Sequence, residues 1–316
     1  MKQMRKSEAL FYVAERFPKM TWGALWLWVH GCQLVGRADR AFNHWALQEV
    51  LKRSQVRIPV RTRLGNGMKI KVHVGDYVGG QILSLGYYEP RTVKLIQSLA
   101  RPGVTFFDVG AHVGQYALVA SESVTGTGAV HAFEPDPQTY GWLADNIKRN
   151  HLTNVFANHL ALSDAPGTLD FYLSDVHDIG SNSLRPPERF TGRTVKVTAT
   201  TLDEYVRSRG VARVDLMKID VEGAECAVLK GASALLDRDD RPIMILEFEE
   251  ARQIAFQSSC AALAALLEAK RYNLFRLDTP TLEAYVPKQS DEPSLNILAV
   301  PSHRLDVADA IRKTLQ

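Results

Sequence analysis

The segment Phe106-Phe107-Asp108-Val109-Gly110-Ala111-His112-Val113-Gly114-Gln115-Tyr116-Ala117-Leu118-Val119-Ala120 is the most informative in the chain. An apolar run of strand length ends in an acid and passes through two glycines. It then resumes as an apolar run of helix length. The glycines allow a sharp turn and close backbone approach to a ligand. The first N–H groups of the helix then face that ligand. A second strand follows, Ala129-Val130-His131-Ala132-Phe133-Glu134. Its terminal acid lies 134 − 114 = 20 residues after the last glycine. A carboxylate at that place accepts both hydroxyls of a ribose.

The same rhythm extends in both directions. Downstream, Asp136-Pro137 caps a helix running to about Asn150, and Asn154 to Leu162 reads as a third strand. Gly167 to Leu173 and Arg193 to Thr200 read as two strands around a polar loop, an insertion over the binding edge of the sheet. Thr201 to Glu204 has capping-box spacing. The α/β order then returns with Val214 to Asp220, a helix from about Ala224 to Leu236, and Ile243 to Glu249. A helix over 251–269, strands Tyr272 to Leu277 and Leu295 to Val300, and a terminal helix from Leu305 complete it. Upstream, Glu89 to Leu99 reads as a helix. Asn66-Gly67, set between extended segments, predicts a hairpin with a type I′ turn. This order predicts a mostly parallel α/β sheet covered by helices. The expected organisation is a helical extension over 1–55, a β-hairpin lead-in over 56–86, and the main domain over 87–316.

Composition narrows the classes. With 38 basic and 35 acidic residues, the formal net charge is +3. No dense Lys/Arg run is present, so nucleic acid is not an expected partner. Three cysteines, Cys32, Cys226 and Cys260, lie far apart, which argues against a disulfide framework or zinc site and for a cytoplasmic location. Glu8, Glu15 and Arg16 interrupt any secretory leader. The apolar segment Thr21 to Gly36 is shorter than the ~20 residues of a spanning helix. Its tryptophans are read as packing on the domain or on a second subunit, which makes a homo-oligomer through these helices possible, rather than as resting on a membrane surface.

Two ligands compete for the glycine turn. A dinucleotide requires GxGxxG, the middle glycine making room for pyrophosphate. Here the spacing is GxxxG, with Gly110 and Gly114 as its glycines and His112 at the position of closest approach. Asp108 suits a cationic amino-acid group better than a phosphate, which favours S-adenosylmethionine. A second constellation is Lys218-Ile219-Asp220-Val221-Glu222-Gly223. Asp220 ends a core strand and is placed to accept from a ligand ammonium or a substrate hydroxyl. Glu222 is placed to accept a proton, and Glu225 to favour the next helix N-terminus. Glu247, at the end of another strand, is expected at the acceptor pocket. No His/Asp/Glu cluster has metal spacing, so no metal is predicted.

Several segments together resemble the FkbM methyltransferase family. They are Tyr88-Glu89-Pro90, FFDVGAHVGQYALVA (106–120), VHAFEPDPQTYGWLADNIKRN (130–150), ALSD (161–164), TTLDEY (200–205), LMKIDVEGAECAVLKGA (216–232) and LNILAVP (295–301). The resemblance implies a class I methyltransferase fold, a seven-stranded Rossmann-like sheet. It implies O-methylation from S-adenosylmethionine, on a sugar, glycan or natural-product acceptor. Where the family commonly has Asn, this chain has His112. Cofactor contacts are expected from Glu89, Asp108, Gly110, His112, Gly114, Glu134 and Asp220. The general base is sought in the order Glu222, His177, Asp220; His177 lies in the insertion loop with Asp178, Asn182 and Ser183. An NAD-linked oxidoreductase and a non-catalytic protein retaining the fold are the competing classes.

Overall fold

The computed structural model describes residues 58–74, 76–174, 182–186, 190–279, 281–287 and 294–315. The helical extension expected over 1–55 and the loop residues His177 and Asp178 lie outside these. Along the described chain, strands β1 (Ile58–Arg63) and β2 (Lys69–Val74) precede helices α1 (Tyr77–Leu85) and α2 (Pro90–Leu99). Then come β3 (Thr105–Val109), α3 (Gln115–Ser123), β4 (Ala129–Phe133), α4 (Pro137–Arg149) and β5 (Val155–Asn158). The insertion holds β6 (Ala161–Leu162), β7 (Gly167–Ser174) and β8 (Phe190–Thr200). The remainder is α5 (Leu202–Arg209), β9 (Leu216–Ile219), α6 (Glu225–Lys230), α7 (Ser233–Leu236), β10 (Ile243–Phe248), α8 (Glu250–Ala255), α9 (Cys260–Ala269), β11 (Tyr272–Arg276), β12 (Leu295–Pro301) and α10 (Leu305–Leu315).

Seven strands form the central sheet in the order β11-β12-β10-β9-β3-β4-β5. Strand β12 runs antiparallel to both neighbours, and the other pairs are parallel. This is the class I methyltransferase arrangement. Its inner strands are buried throughout, as expected when helices cover both faces. One apolar cluster packs Ile96, Leu118 and Ile245 on one face; another packs Phe107, Met217 and Leu263 on the other. Among the described residues, no helix is long and apolar enough to cross a membrane.

The local signals mostly hold. Asp136 caps α4, accepting from the Gln138 amide at 2.9 Å with Pro137 in the first turn, and Thr201 caps α5 by accepting from Glu204 N–H at 3.1 Å. The insertion is a separate three-stranded sheet, β6-β8-β7, so the single strand expected over 154–162 divides between two sheets. Ser259 caps α9 and breaks the single helix expected over 251–269.

Two expectations change. The hairpin turn is not type I′: only Gly67 has positive φ (88°), and Gly67 N–H donates to Leu64 O at 2.8 Å. That is a three-residue loop with a left-handed glycine, the alternative hairpin geometry. The lead-in also contains α1, whose sequence begins with two glycines near its start, weak helix formers that hide it. A side chain at Gly79 would strike the His73 backbone, so α1 packs closely on β2. The hairpin itself is docked on the domain. The Lys71 amide donates to Asn146 Oδ1 (2.7 Å), and Asn146 Nδ2 donates to Val113 O (2.9 Å) in the glycine turn.

Candidate active site

A cavity of about 500 Å³ opens at the carboxyl ends of β3, β4, β9 and β10. It is bounded by the start of α2 on one side and by the insertion on the other. That is the edge at which open α/β sheets bind ligands. Glu89, Gly110, His112, Glu134, Asp220, Glu222 and Glu247 all line it.

The β3–β4 side is made from backbone. Gly110 N–H (3.0 Å) and Ala111 N–H (2.9 Å) donate to Phe133 O, and His112 N–H donates to Glu134 Oε2 (2.9 Å). Asp136 N–H donates to Glu134 Oε1 (2.9 Å). These donors seat the Glu134 carboxylate, one on each oxygen, and leave lone pairs for a ligand. Burial pushes its carboxyl up to about 8, against the pull of those amides. The loop amides therefore serve the neighbouring strand rather than pointing outward. The room made by Gly110 (φ 81°) is also used internally, because a side chain there would collide with Asp220 O. The turn thus locks β3 against β9. Gly114 caps α3 and packs against Leu143, away from the cavity wall. Asp108 is wholly buried (0% exposed) beneath the turn and does not reach the cavity. Burial raises its carboxyl to about 7, opposed by Lys218 and the Ala117 amide. His112 takes a left-handed conformation (φ 50°) beside the cavity. That backbone suits Asn, Asp or His better than a branched residue.

The β9–β10 side is made from side chains. Lys218 Nζ pairs with Asp220 Oδ2 at 3.0 Å. Asp220, Glu222 and Glu247 present oxygens all within 4.8 Å of one another. Arg252 Nε pairs with Glu222 Oε2 (3.0 Å) and lies 3.6 Å from Glu249 Oε1. Ser294 Oγ donates to Glu247 Oε1 (2.5 Å). Burial, with the Asp220 and Glu222 charges, holds the Glu247 carboxyl well above the usual range. Burial would raise Asp220 too, but Lys218 overrides it and leaves that carboxyl below its ordinary value. Glu225 turns back on its own loop, accepting from Val221 N–H (3.0 Å) and Gly223 N–H (3.3 Å) and from Gln253 Nε2 (2.5 Å). It is a clamp on the loop that carries Asp220 and Glu222, beyond the electrostatic role expected at the helix N-terminus.

The residues from 108 to 274 match the model of the methyltransferase FkbM domain. The chain belongs to the FkbM methyltransferase family. It is 30% identical over 148 residues to the hexuronic acid methyltransferase AglP of Haloferax volcanii, covering 47% of this chain and 58% of that one. It is 30% identical over 160 residues to the 31-O-demethyl-FK506 methyltransferase FkbM of Streptomyces tacrolimicus, covering 42% and 60%. With the 2-O-methyltransferase NoeI of Sinorhizobium fredii it shares 26% identity over 159 residues, covering 46% and 64%. The chain thus spans less than two thirds of these relatives' own lengths.

Within this family fold, Glu89 lines the cavity as the sequence suggested, but sequence reasoning missed several of the groups that hold the cavity acids in place. Glu89 is held by Tyr116 Oη (2.6 Å) and Asn296 Nδ2 (2.7 Å), its backbone strained at φ 44° where Pro90 begins α2. Tyr116 follows the second glycine by two positions, but nothing local marks its hydroxyl as functional. Asn296 and Arg252 carry no signal, since their partners lie far off in sequence or across a loop. Lys218 did carry one: a lysine inside a buried apolar strand, two residues from Asp220 and so on the same face.

Proposed function

We propose that this chain is an S-adenosylmethionine-dependent O-methyltransferase acting on a hydroxyl of a sugar, glycan or natural-product acceptor. The observation that carries the reading is the charge of the cavity wall. Six carboxyl groups line it (Glu89, Glu134, Asp220, Glu222, Glu247 and Glu249), two of them, Glu134 and Glu247, raised by burial, against one guanidinium, Arg252. Such a wall suits a cationic ligand and disfavours pyrophosphate, which counts against an NAD-linked oxidoreductase. The donor set fits the cofactor's parts. Glu134 would accept from the ribose hydroxyls, and Asp220 would receive the amino-acid cation. Glu89, fixed by Tyr116 and Asn296, closes that end.

When bound, S-adenosylmethionine supplies an electrophilic methyl group on a sulfonium. The protein's share of the work is to align an acceptor oxygen with that methyl, a contribution that comes from orientation. Glu222 receives the proton as the acceptor oxygen attacks, a role worth about 10²–10⁴-fold. Its pairing with Arg252 holds the carboxylate in place at the cavity wall. The acceptor enters beside the insertion, where Asn182 and Leu184 line the mouth.

Transfer of label from methyl-labelled S-adenosylmethionine to a panel of glycans and hydroxylated metabolites tests the reading. Label on an acceptor oxygen is the expected result. Stabilisation by NAD and not by S-adenosylhomocysteine in a thermal shift would overturn it.

A further inference from the structure

Lys218 is only 1% exposed, in a strand whose other members are Leu216, Met217 and Ile219. A buried ammonium is costly unless it is paired, and packing alone would be served as well by methionine. Its surroundings are acidic on every side. Asp220 lies on its own strand, at 3.0 Å. Asp108 is its register partner on β3, with both carboxylate oxygens buried. Glu247 reaches in from β10, and Glu89 from the start of α2. The Tyr116 ring on α3 lies 5.8 Å from Nζ, and His112 faces Asp220 from the glycine turn.

Without this ammonium, Asp220 would sit among Asp108, Glu89, Glu222 and Glu247 with, among the described residues, only the His112 ring and Arg252 nearby to offset them, and Arg252 is already shared by Glu222 and Glu249. Clustered carboxyls of that kind take up protons, because like charges at short range disfavour ionisation. A protonated Asp220 could not attract a cation. We propose that Lys218 is a positioning residue of the cofactor pocket: its buried ammonium keeps the Asp220 carboxylate charged and aimed at the cavity, where it receives the amino-acid cation of the ligand. The inference rests on the reading of this cavity as an S-adenosylmethionine site. The charge balance agrees with the geometry. Burial would lower Lys218, yet Asp220, Glu89 and Glu247 hold it above the ordinary lysine value. Burial and the Asp220 charge raise Glu247 in turn, and a side-chain hydrogen bond joins the two carboxyls.

The test is calorimetric titration of S-adenosylhomocysteine into the full chain from about pH 6 to about pH 8.5, the window over which a displaced carboxyl would titrate. Wild type, K218M, K218R and D220N are compared, each checked for fold by circular dichroism. Glu134, at about 8, and Asp108, at about 7, titrate in the same window in wild type and variants alike, so the readout is the ratio of variant to wild-type affinity at each pH. K218M should bind about tenfold or more weakly at the acid end and recover as rising pH ionises Asp220 again. K218R should restore the wild-type profile. D220N should bind weakly at every pH. A K218M profile parallel to wild type overturns the proposal, whatever its absolute affinity. So does unchanged affinity in D220N, which decides the matter if K218M does not fold. Failure of the wild type to bind S-adenosylhomocysteine at all would instead sink the cofactor reading.

Discussion

The two sides of the cavity hold their carboxylates by different means. Glu134, on the β3–β4 side, is seated by two backbone N–H groups from residues within 22 positions of it. Asp220, Glu222 and Glu89, on the other side, are held by side chains: Lys218, Arg252, Tyr116 and Asn296. A seat made of backbone is set by the path of the chain and tolerates side-chain change. A seat made of counter-charges depends on each partner's presence and on pH. The adenosine end should therefore be robust, and the methyl-transfer end easily unbalanced.

The largest effect should come where the two sides meet. Gly110→Ala forces a side chain onto Asp220 O at positive φ, and should cost about 3–5 kcal/mol of stability in chemical denaturation. A variant of near wild-type stability would show that the seam is looser than described. Next is Glu222→Gln, which should lower kcat about 10²–10⁴-fold while leaving S-adenosylhomocysteine affinity near wild type. Full turnover would remove Glu222 as the base. Glu225→Ala strands the Val221 and Gly223 amides that it satisfies. The expected loss is about 1–3 kcal/mol, together with a larger change in kcat than in ribose-end binding. Equal damage to both sides would contradict the comparison.

The smallest effect is one of pH. Glu134 has its folded value raised from 4.5 to about 8, so the folded state binds the extra proton. Its contribution to stability is full below 4.5 and is lost as pH rises through about 8. The melting temperature of the ligand-free wild type should therefore fall across that window more than that of Glu134→Gln. Parallel curves would mean that the burial of Glu134 has no such consequence.

The same contrast explains what sequence revealed. The parallel sheet, the insertion strands and the caps at Asp136 and Thr201 were legible because each is written in contiguous residues. So were Gly110, Glu134, Asp220 and Glu222, which end strands or begin turns. Helix α1 was hidden because its glycines lower helix propensity, while its close packing on β2 requires one of them. Asn296 and Glu89 meet across 207 positions of chain, a pairing that no local pattern encodes. Asp108 shows the opposite error. Its place at a strand end suggested a ligand contact, but strand alternation turns it under the loop, toward Lys218. The acidic side of the cavity was thus half legible: the acids were visible, and most of the groups that hold them were not.

The most direct test of the account is calorimetric binding of S-adenosylhomocysteine to wild type and to Glu134→Ala. The account predicts saturable binding by the wild type, no heat with NAD, and an affinity lower by about 30-fold or more in the variant, the worth of the hydrogen bonds that Glu134 makes to the ribose. Equal affinity in the two proteins, or binding of NAD in place of S-adenosylhomocysteine, would contradict it.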